Sequence, residues 1–380
     1  MIYLDNASTS WPKPDSVYTA MDDFARNHAG NPGPTGHRMA RASSEKVDAC
    51  RRGVAELINA ESPDRVVLTM NTTDALNIAL KGFLREDDHV ITSRTEHNST
   101  LRPLAAMEKD GFISLDRART SEDGTVDPEE IRKLIRKETR LIAITHCSNV
   151  IGAVLPIEAY AKIAKEEGLR ILVDAAQTAG VIPIDVQEMG LDMIAFPGQK
   201  NLFGPMGTGA LYVADGIHLT PFRVGASGPN AEEENQPQEM PARLEAGTPN
   251  AHGYTGLAAG IQFVQEQGVA NIGAHESRMA VSFIEQVREI PGVTVHSGRN
   301  LDIQIGPVSL TIDGMEPARV GSLMDEKYGI ACRPGIHCAP GAHEFLGTLP
   351  NGTVRFSFGW FNKQDEVDAA AKALREVCQK

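Results

Sequence analysis

Short apolar runs with high strand propensity alternate with longer amphipathic stretches between about residues 65 and 215. This alternation is typical of βαβ units and predicts a mostly parallel sheet. Helical patterns lie between several of the runs, at 73–84, 128–137 and 157–167. The predicted strands are RVVLTM (65–70), HVITS (89–93), LIAITH (141–146), ILVDA (171–175), MIAF (193–196) and GALYV (209–213).

The chain changes character after this region. Residues 216–252 are rich in Gly, Pro, Asn and Glu, and we expect a long functional loop near a domain boundary. A helix-rich stretch then extends to about residue 290, and a last helical pattern covers 363–380. The strand-like runs VTVHS, VSLTI, IACRP and TVRFSF lie between them and predict a smaller α+β domain. A chain of 380 residues is long enough for two such domains.

Composition narrows the possible functions. The chain is 41% hydrophobic and 23% charged, and no apolar run has the length of a membrane span. A formal net charge of −13 argues against a nucleic-acid-binding surface. The first residues show neither a secretory nor a transit signal, so the cytoplasm is the expected compartment. Five scattered cysteines without CxxC spacing fit neither a disulfide framework nor a zinc site.

Polar residues follow the predicted strands where an open α/β sheet binds its ligands, at the carboxyl ends. Thr72 and Thr73 open a helix and offer hydroxyls and N–H groups to a phosphate there, although helix capping by threonine explains such a pair more often. Asp174 ends an apolar strand and requires a cation or a hydrogen-bond donor. A protonated pyridine nitrogen would meet that need.

Lys200 follows another apolar strand and lies between glycine-rich turns. Burial at such a position lowers the pKa of a lysine and yields the free amine that forms a Schiff base. A surface lysine after a strand is the ordinary alternative. Asp174 at the preceding strand end favours the cofactor interpretation.

With these residues in place, the chain resembles fold-type I pyridoxal-phosphate (PLP) enzymes of the class V aminotransferase group, and within it the cysteine desulfurases and selenocysteine lyases. The resemblance implies a large PLP-binding domain of residues 15–255, with a mostly parallel seven-stranded sheet, and a small α+β domain of residues 1–14 and 256–380. It rests on YLDNAST (3–9), GNPGPTGH (30–37), NTTDALN, EHNS, SNVIG, VDAAQTAG, GQKNLFGPMGTG, EAGTPN, RPGIHCA and VRFSFGWFN, in family order.

The resemblance assigns cofactor roles to the residues at the strand ends. Thr72 and Thr73 hold the phosphate, and His97 stacks on the pyridine face as a cofactor-binding and catalytic residue. Asp174 pairs with the ring nitrogen, and Lys200 is joined covalently to the cofactor. The remaining expected cofactor contacts are Asn149, Gln177, Gln199 and Thr248, of which Asn149 and Gln177 approach the phenolic oxygen.

Other residues carry the expected substrate chemistry and assembly. Arg355, with Asn149 and Arg333, binds the substrate, and Arg355 grips its α-carboxylate in a bidentate pair. Thr248 resembles the family residue that reaches the partner subunit's phosphate, which implies a homodimer. Cys338 in RPGIHCA resembles the nucleophile that takes sulfur from cysteine and leaves alanine, with the persulfide passing to a possible sulfur-acceptor protein.

The chain departs from the family pattern in three places. Pro197, Gly198 and Gln199 stand where the family usually has Ser-Gly-His before the lysine, so one hydroxyl donor is lost while Gln199 can donate through its amide. Asn71 stands where a glycine commonly precedes the two threonines. The segment from Val224 lacks a threonine that related sequences often carry.

Alternative functions remain open from the sequence. Selenocysteine can replace cysteine as the substrate, with less need of a thiol. Transamination, β-elimination or racemisation would leave Cys338 as a bystander. A non-enzymatic sulfur-binding or scaffold protein of the same fold is the third alternative, because the residues before Lys200 depart from the family pattern.

Overall fold

The computed structural model describes residues 1–33, 36–226 and 234–379. Two patterns named above, GNPGPTGH (30–37) and the segment from Val224, extend outside these ranges. The strands are β1 (Ile2–Tyr3), β2 (Val66–Thr69), β3 (Asp88–Ser93), β4 (Ile113–Ala118), β5 (Thr139–Thr145), β6 (Arg170–Asp174), β7 (Met193–Pro197), β8 (Gly209–Val213), β9 (Val293–Val295), β10 (Pro307–Ile312), β11 (Ile330–Ala331), β12 (Arg333–Gly335) and β13 (Thr353–Ser357). The helices are α1 (Asp15–Asp23), α2 (Arg38–Leu57), α3 (Thr72–Phe83), α4 (Asn98–Lys109), α5 (Pro128–Leu134), α6 (Ile157–Glu166), α7 (Ala251–Gln267), α8 (Val269–Arg288), α9 (Pro317–Tyr328), α10 (Pro340–Leu346) and α11 (Gln364–Cys378).

Among the described residues, a seven-stranded sheet has the order β2-β8-β7-β6-β5-β3-β4. The strands from β7 to β4 in this order are parallel, and β8 is antiparallel to both of its neighbours. The predicted mostly parallel α/β fold is therefore confirmed. The edge strand β4 was not predicted, because its half-buried pattern alternates instead of forming a continuous apolar run.

Both faces of this sheet are covered by helices. In β5, Ile142 and Ile144 point into a core that includes residues of α2, α6 and α7. Leu141 and Ala143 point into the opposite core, which includes residues of α3 and α4. Burial on both faces explains why the inner strands are continuous apolar runs.

A second sheet of four antiparallel strands, β12-β13-β10-β9, lies in the C-terminal part of the chain. Its core includes Phe283, Phe356 and Leu374 and is separate from those of the large sheet. The run IACRP, predicted as one strand, forms the two short strands β11 and β12, which pair with β1 and β13. The division into domains at residues 14 and 255 stays a prediction.

The residues from Asp5 to Lys13, called here the N-terminal segment, connect the two sheets. Asp5 forms a parallel bridge with Ser357 of β13, and the Ala7 N–H donates to the Ser357 hydroxyl at 2.9 Å. On the other side, the side-chain amide of Gln177 donates to the Ala7 carbonyl at 3.2 Å. The start of the chain therefore lies between the small sheet and the carboxyl ends of the large one.

A largely buried ion pair attaches the described part of the 216–252 region to the large sheet. Arg51 of α2 donates to both carboxylate oxygens of Glu245 at 2.6 and 2.9 Å, and also to the Val66 carbonyl. The Leu68 N–H of β2 donates to the same carboxylate. In the part of the chain that the structure describes, no helix has the length and apolar character needed to cross a bilayer.

We expect Glu245→Ala to destabilise the fold by about 3 kcal/mol, because it leaves the guanidinium of Arg51 buried without its counterion. Glu108→Ala is the matched control, since Glu108 pairs with Arg117 on the surface, where such a pair contributes about 0.5 kcal/mol. The measurement is the midpoint of urea unfolding for each variant. Equal shifts of the urea midpoint in the two variants would contradict the role of Glu245 as the counterion of a buried Arg51.

Candidate active site

The carboxyl ends of the parallel strands surround a cavity of about 220 Å³, called here the Lys200 cavity. It brings together most residues that the sequence analysis selected. Its lining includes Thr72, Thr73, His97, Asn149, Asp174, Gln177, Gln199, Lys200, Arg333 and Arg355.

Lys200 lies in the turn that follows β7. This turn is close-packed: a Cβ atom at Gly198 would lie 2.1 Å from the Thr208 hydroxyl, so only glycine fits there. The turn is closed by hydrogen bonds from Phe203 N–H to the Lys200 carbonyl and from Gly204 N–H to the Gly198 carbonyl. Burial lowers the pKa of the Lys200 amine to about 8, which leaves an appreciable neutral fraction near neutral pH.

Asp174 ends the neighbouring strand β6 and is 3% exposed. One carboxylate oxygen accepts from the Ala176 N–H at 2.9 Å. Burial raises the pKa of Asp174, while the Ala176 N–H and the Lys200 ammonium act in the opposite direction. A cationic partner in the cavity would hold this carboxylate ionised.

The N-terminus of α3 faces the same cavity. Asn71 caps this helix, its side-chain oxygen accepting from the Asp74 N–H at 2.9 Å. Because Asn71 is the cap, Thr72 and Thr73 are the first two helical residues, whose N–H groups have no acceptor within the helix. Two free N–H groups at the positive end of a helix form a phosphate-binding arrangement. The cap also explains why this position does not require glycine.

His97 both caps α4 and lines the cavity. The Ser99 N–H donates to Nδ1 of His97 at 3.0 Å, so the neutral ring carries its proton on Nε2. Burial, followed by the positive charge of Lys200, lowers the pKa of His97 to about 4. The imidazole is therefore neutral at pH 7 and can lie against an aromatic ring.

Glu96 is a buried carboxyl that the sequence analysis did not select. Its Oε1 accepts from the Ser93 hydroxyl at 2.6 Å and from the Thr145 N–H at 3.0 Å. Among the described residues, no hydrogen-bond partner is found for Oε2. Burial raises the pKa of Glu96 to about 8, so it is protonated at pH 7. Its position directly before His97 was visible in the sequence, but its burial was not.

Two arginines line the side of the cavity formed by the small sheet. Arg355, in β13, is 1% exposed and donates to Asp5 and to the Ser8 hydroxyl, both at 2.9 Å. Arg333 donates to the same hydroxyl at 2.8 Å. Arg355 also donates to the Asn149 carbonyl at 3.0 Å. The N-terminal segment thus positions both guanidinium groups toward one space.

Cys338 is exposed and lies beside the cavity lining, next to His337, which is part of it. Both residues have positive φ values, 51° and 59°, a conformation that costs free energy in residues other than glycine. Hydrogen bonds fix the turn on either side. Asn149 donates to the His337 carbonyl at 2.7 Å, and the Asn98 N–H donates to the Cys338 carbonyl at 2.7 Å. Cys338 is also within electrostatic reach of Arg355.

The structure separates Thr248 from the other selected residues. It lines a second cavity of about 760 Å³ on the same chain, together with Arg51, Arg223 and Glu245. Several lining residues of the Lys200 cavity were not selected from the sequence. They are Ala7, Ser8, Ser99, Thr145, Cys147 and Ala176. The motifs quoted above do contain four of them, with Ala7 and Ser8 in YLDNAST, Ser99 in EHNS and Ala176 in VDAAQTAG. Within the described ranges, no cluster of His, Cys, Asp and Glu could hold a metal ion.

The fold is that of a fold-type I PLP-dependent enzyme. The family model for aminotransferase class-V matches residues 2–370. The chain therefore belongs to the class V aminotransferase family, whose members are PLP-dependent.

Relatives with a more specific description are cysteine desulfurases. A probable cysteine desulfurase of Methanothermobacter thermautotrophicus is 34% identical over 99% of this chain and 94% of its own length. A cysteine desulfurase of Escherichia coli O157:H7 is 31% identical over 99% and 93%. The apo structure of a cysteine desulfurase from Thermococcus onnurineus superposes with a TM-score of 0.93 at 32% identity, covering 100% of this chain and 94% of that one.

We expect Glu96→Gln to reduce the loss of stability at alkaline pH. The folded pKa of about 8 lies above the unfolded value of about 4.3, so the contribution of Glu96 is full below about pH 4 and is lost as pH rises through 8. Glutamine mimics the protonated carboxyl and does not titrate. Melting temperatures at pH 6 and pH 9 should therefore differ by several degrees less in this variant than in the wild type.

The exposed Glu285→Gln serves as the control for this experiment, because it removes the same charge from the surface of α8. It should keep the wild-type pH dependence. An unchanged pH dependence in Glu96→Gln would show that Glu96 is ionised in the folded protein at pH 7.

Proposed function

We propose that this protein is a cysteine desulfurase, which transfers the sulfur of L-cysteine to Cys338 and releases alanine. The observation that carries the proposal is that residues suited to a cofactor and residues suited to an amino-acid substrate line one cavity. The lysine, the buried carboxylate and the α3 N-terminus line the same cavity as two arginines, and Cys338 lies at its edge. The cysteine desulfurase relatives, which span nearly the whole chain, support the same reaction.

The cavity residues fit PLP chemically. Thr72 and Thr73 offer N–H groups to a phosphate, Asp174 offers a carboxylate to a protonated ring nitrogen, and Lys200 offers an amine with a lowered pKa. The side-chain oxygen of Gln199 is buried in the cavity lining and has no partner among the described residues, so it can accept a hydrogen bond from a ligand. When bound, PLP supplies an electron sink for carbanion chemistry at the substrate.

The arginines define the substrate's orientation. Arg355 and Arg333 bind the α-carboxylate of cysteine, and Asn149 supports Arg355 through its carbonyl. Asp5 and Ser8 hold these guanidinium groups in place when the substrate is absent. The amine of Lys200 is then the base that accepts the Cα proton at its Nζ, since its pKa lies close to physiological pH.

Cys338 carries out the sulfur transfer. Its thiolate attacks the substrate sulfur, and an S–S bond forms as the C–S bond breaks. The electron pair of the broken bond stays on carbon and is protonated, which gives alanine, while the sulfur remains on Cys338 as a persulfide.

The assembly and the compartment remain proposals. A homodimer is supported by Thr248, because this residue lines a cavity other than the one that contains Lys200 on its own chain. A threonine in that place contributes to a phosphate site only if the phosphate belongs to a second copy. The exposure of Cys338 fits delivery of the persulfide sulfur to an acceptor protein. The cytoplasm stays the predicted compartment.

We expect Cys338→Ser to abolish the formation of alanine from cysteine while PLP still attaches to Lys200. Attachment is measured by borohydride reduction followed by mass spectrometry of the peptide, and alanine, pyruvate and sulfide are measured together. Cys378→Ser, near the C-terminus, is the control and should keep full activity. Lys200→Ala should lose both the modified peptide and the reaction.

The products separate the alternatives. Pyruvate formation that persists in Cys338→Ser would identify an eliminating enzyme in which the thiol is a bystander. Release of selenium, but not of sulfur, by this variant would identify a selenocysteine lyase. A wild-type protein that never attaches PLP would support the scaffold alternative.

We expect Arg355→Lys to raise the KM for cysteine by about tenfold or more with a smaller effect on kcat, because lysine cannot form the bidentate pair with a carboxylate. The exposed Arg319→Lys is the control and should leave both constants unchanged. Steady-state kinetics of alanine formation provide the measurement. A fall in kcat at unchanged KM would remove Arg355 from substrate binding.

A further inference from the structure

The main-chain carbonyl of Gln199 accepts hydrogen bonds from a group of donors that the reaction described above does not use. The Thr9 hydroxyl donates at 3.0 Å, the Ser10 N–H at 3.0 Å and the Ser10 hydroxyl at 3.2 Å. The ammonium of Lys13 donates to the same oxygen at 3.2 Å. These three side chains and one N–H, all in the N-terminal segment, are called here the Gln199 clamp.

This carbonyl belongs to the peptide bond that joins Gln199 to Lys200. Its orientation therefore sets the direction in which the Lys200 side chain leaves the backbone. The other hydrogen bonds of the turn lie within the turn or run to its neighbours, for example from the Asn201 side chain to the Gln177 carbonyl at 2.9 Å. The clamp is a contact between residues about 190 positions apart.

Lys13 is suited to this task. Its ammonium donates not only to Gln199 but also to the Ser10 carbonyl at 3.2 Å and the Ser10 hydroxyl at 3.1 Å. Three donations use all the protons of an ammonium group. A charged donor binds a carbonyl more strongly than a neutral one does. The lysine thus links Ser10 to the Gln199 carbonyl.

We propose that Lys13, with Thr9 and Ser10, is a positioning residue that holds the Gln199–Lys200 peptide so that the Lys200 amine stays buried in the cavity beside Asp174. This inference rests on the proposed function in one respect, because that function is the reason why the Lys200 amine must attach PLP. The clamp itself is a statement about the protein without cofactor.

The clamp has a measurable consequence for the Lys200 amine. Burial is the main cause of its lowered pKa. A turn released from the N-terminal segment lets water reach the amine, so its pKa moves up toward the ordinary value of a lysine, about 10.4. A rise of one pH unit corresponds to about a tenfold fall in the fraction of neutral amine at pH 7.

The test uses the full-length apoprotein and an amine-acylating reagent. The extent of Lys200 labelling is followed by peptide mass spectrometry from pH 6 to pH 10, and the rate of PLP attachment is measured separately at pH 7. In Lys13→Met, the midpoint of labelling should rise by about one pH unit and PLP attachment should slow by about tenfold. Lys13→Arg keeps a charged donor and should restore most of both properties.

Lys137→Met is the matched control. Lys137 is exposed and precedes β5, so it lies at the amino-terminal ends of the strands, whereas the cavity lies at their carboxyl ends. In this variant, the midpoint of Lys200 labelling should equal that of the wild type. If Lys13→Met does not fold, Thr9→Val removes a single neutral donor and should shift the midpoint in the same direction by a smaller amount.

A wild-type midpoint in folded Lys13→Met would overturn the proposal, and so would a shift that Lys13→Arg fails to reduce. The same holds for an unchanged midpoint in Thr9→Val where Lys13→Met is unfolded. Failure of the proposed function would look different: the wild-type protein would not attach PLP at Lys200, whereas the labelling midpoints would still differ between the variants.

Discussion

The structure depends on placing an amine and a carboxylate at adjoining strand ends where water is largely excluded. β6 and β7 are parallel neighbours, so Asp174 and the turn that carries Lys200 both lie at the carboxyl ends of the strands. Burial acts on the two groups in opposite directions, raising the pKa of the acid and lowering that of the base. A cofactor with a cationic ring nitrogen and an aldehyde matches both groups at once.

A sheet of this kind supplies only one half of the site. The two arginines belong to the small sheet. The N-terminal segment contacts both the arginine side of the site and the turn that carries Lys200. Asp5 and Ser8 hold Arg355, while Lys13, eight residues from Asp5 along the chain, holds the peptide of Lys200. Arg355 and the peptide of Lys200 are therefore contacted by the same short stretch of backbone.

The sequence predicted the parts of the site that follow from local pattern. Asp174 and Lys200 were found because each follows a buried strand, and the α3 N-terminus was found because Thr72 and Thr73 begin a helical pattern. The cap by Asn71, the burial of Glu96 and the Gln199 clamp were not predicted. Each depends on where another element packs, and the clamp joins residues about 190 positions apart, a separation that no local pattern reports. The edge strand β4 was missed because buried and partly exposed residues alternate along it.

The cysteines differ in their surroundings, and these surroundings decide whether a thiol can react. Cys50 and Cys147 are buried in the core, where burial raises the pKa of a thiol and leaves it inert. Cys338 is exposed in a left-handed turn whose carbonyl is held by the Asn98 N–H, next to His97. Such a turn costs free energy, which the hydrogen bonds on both sides offset. A conformation maintained at that cost, beside a cavity lined by arginines, supports the proposed role of Cys338 as the nucleophile.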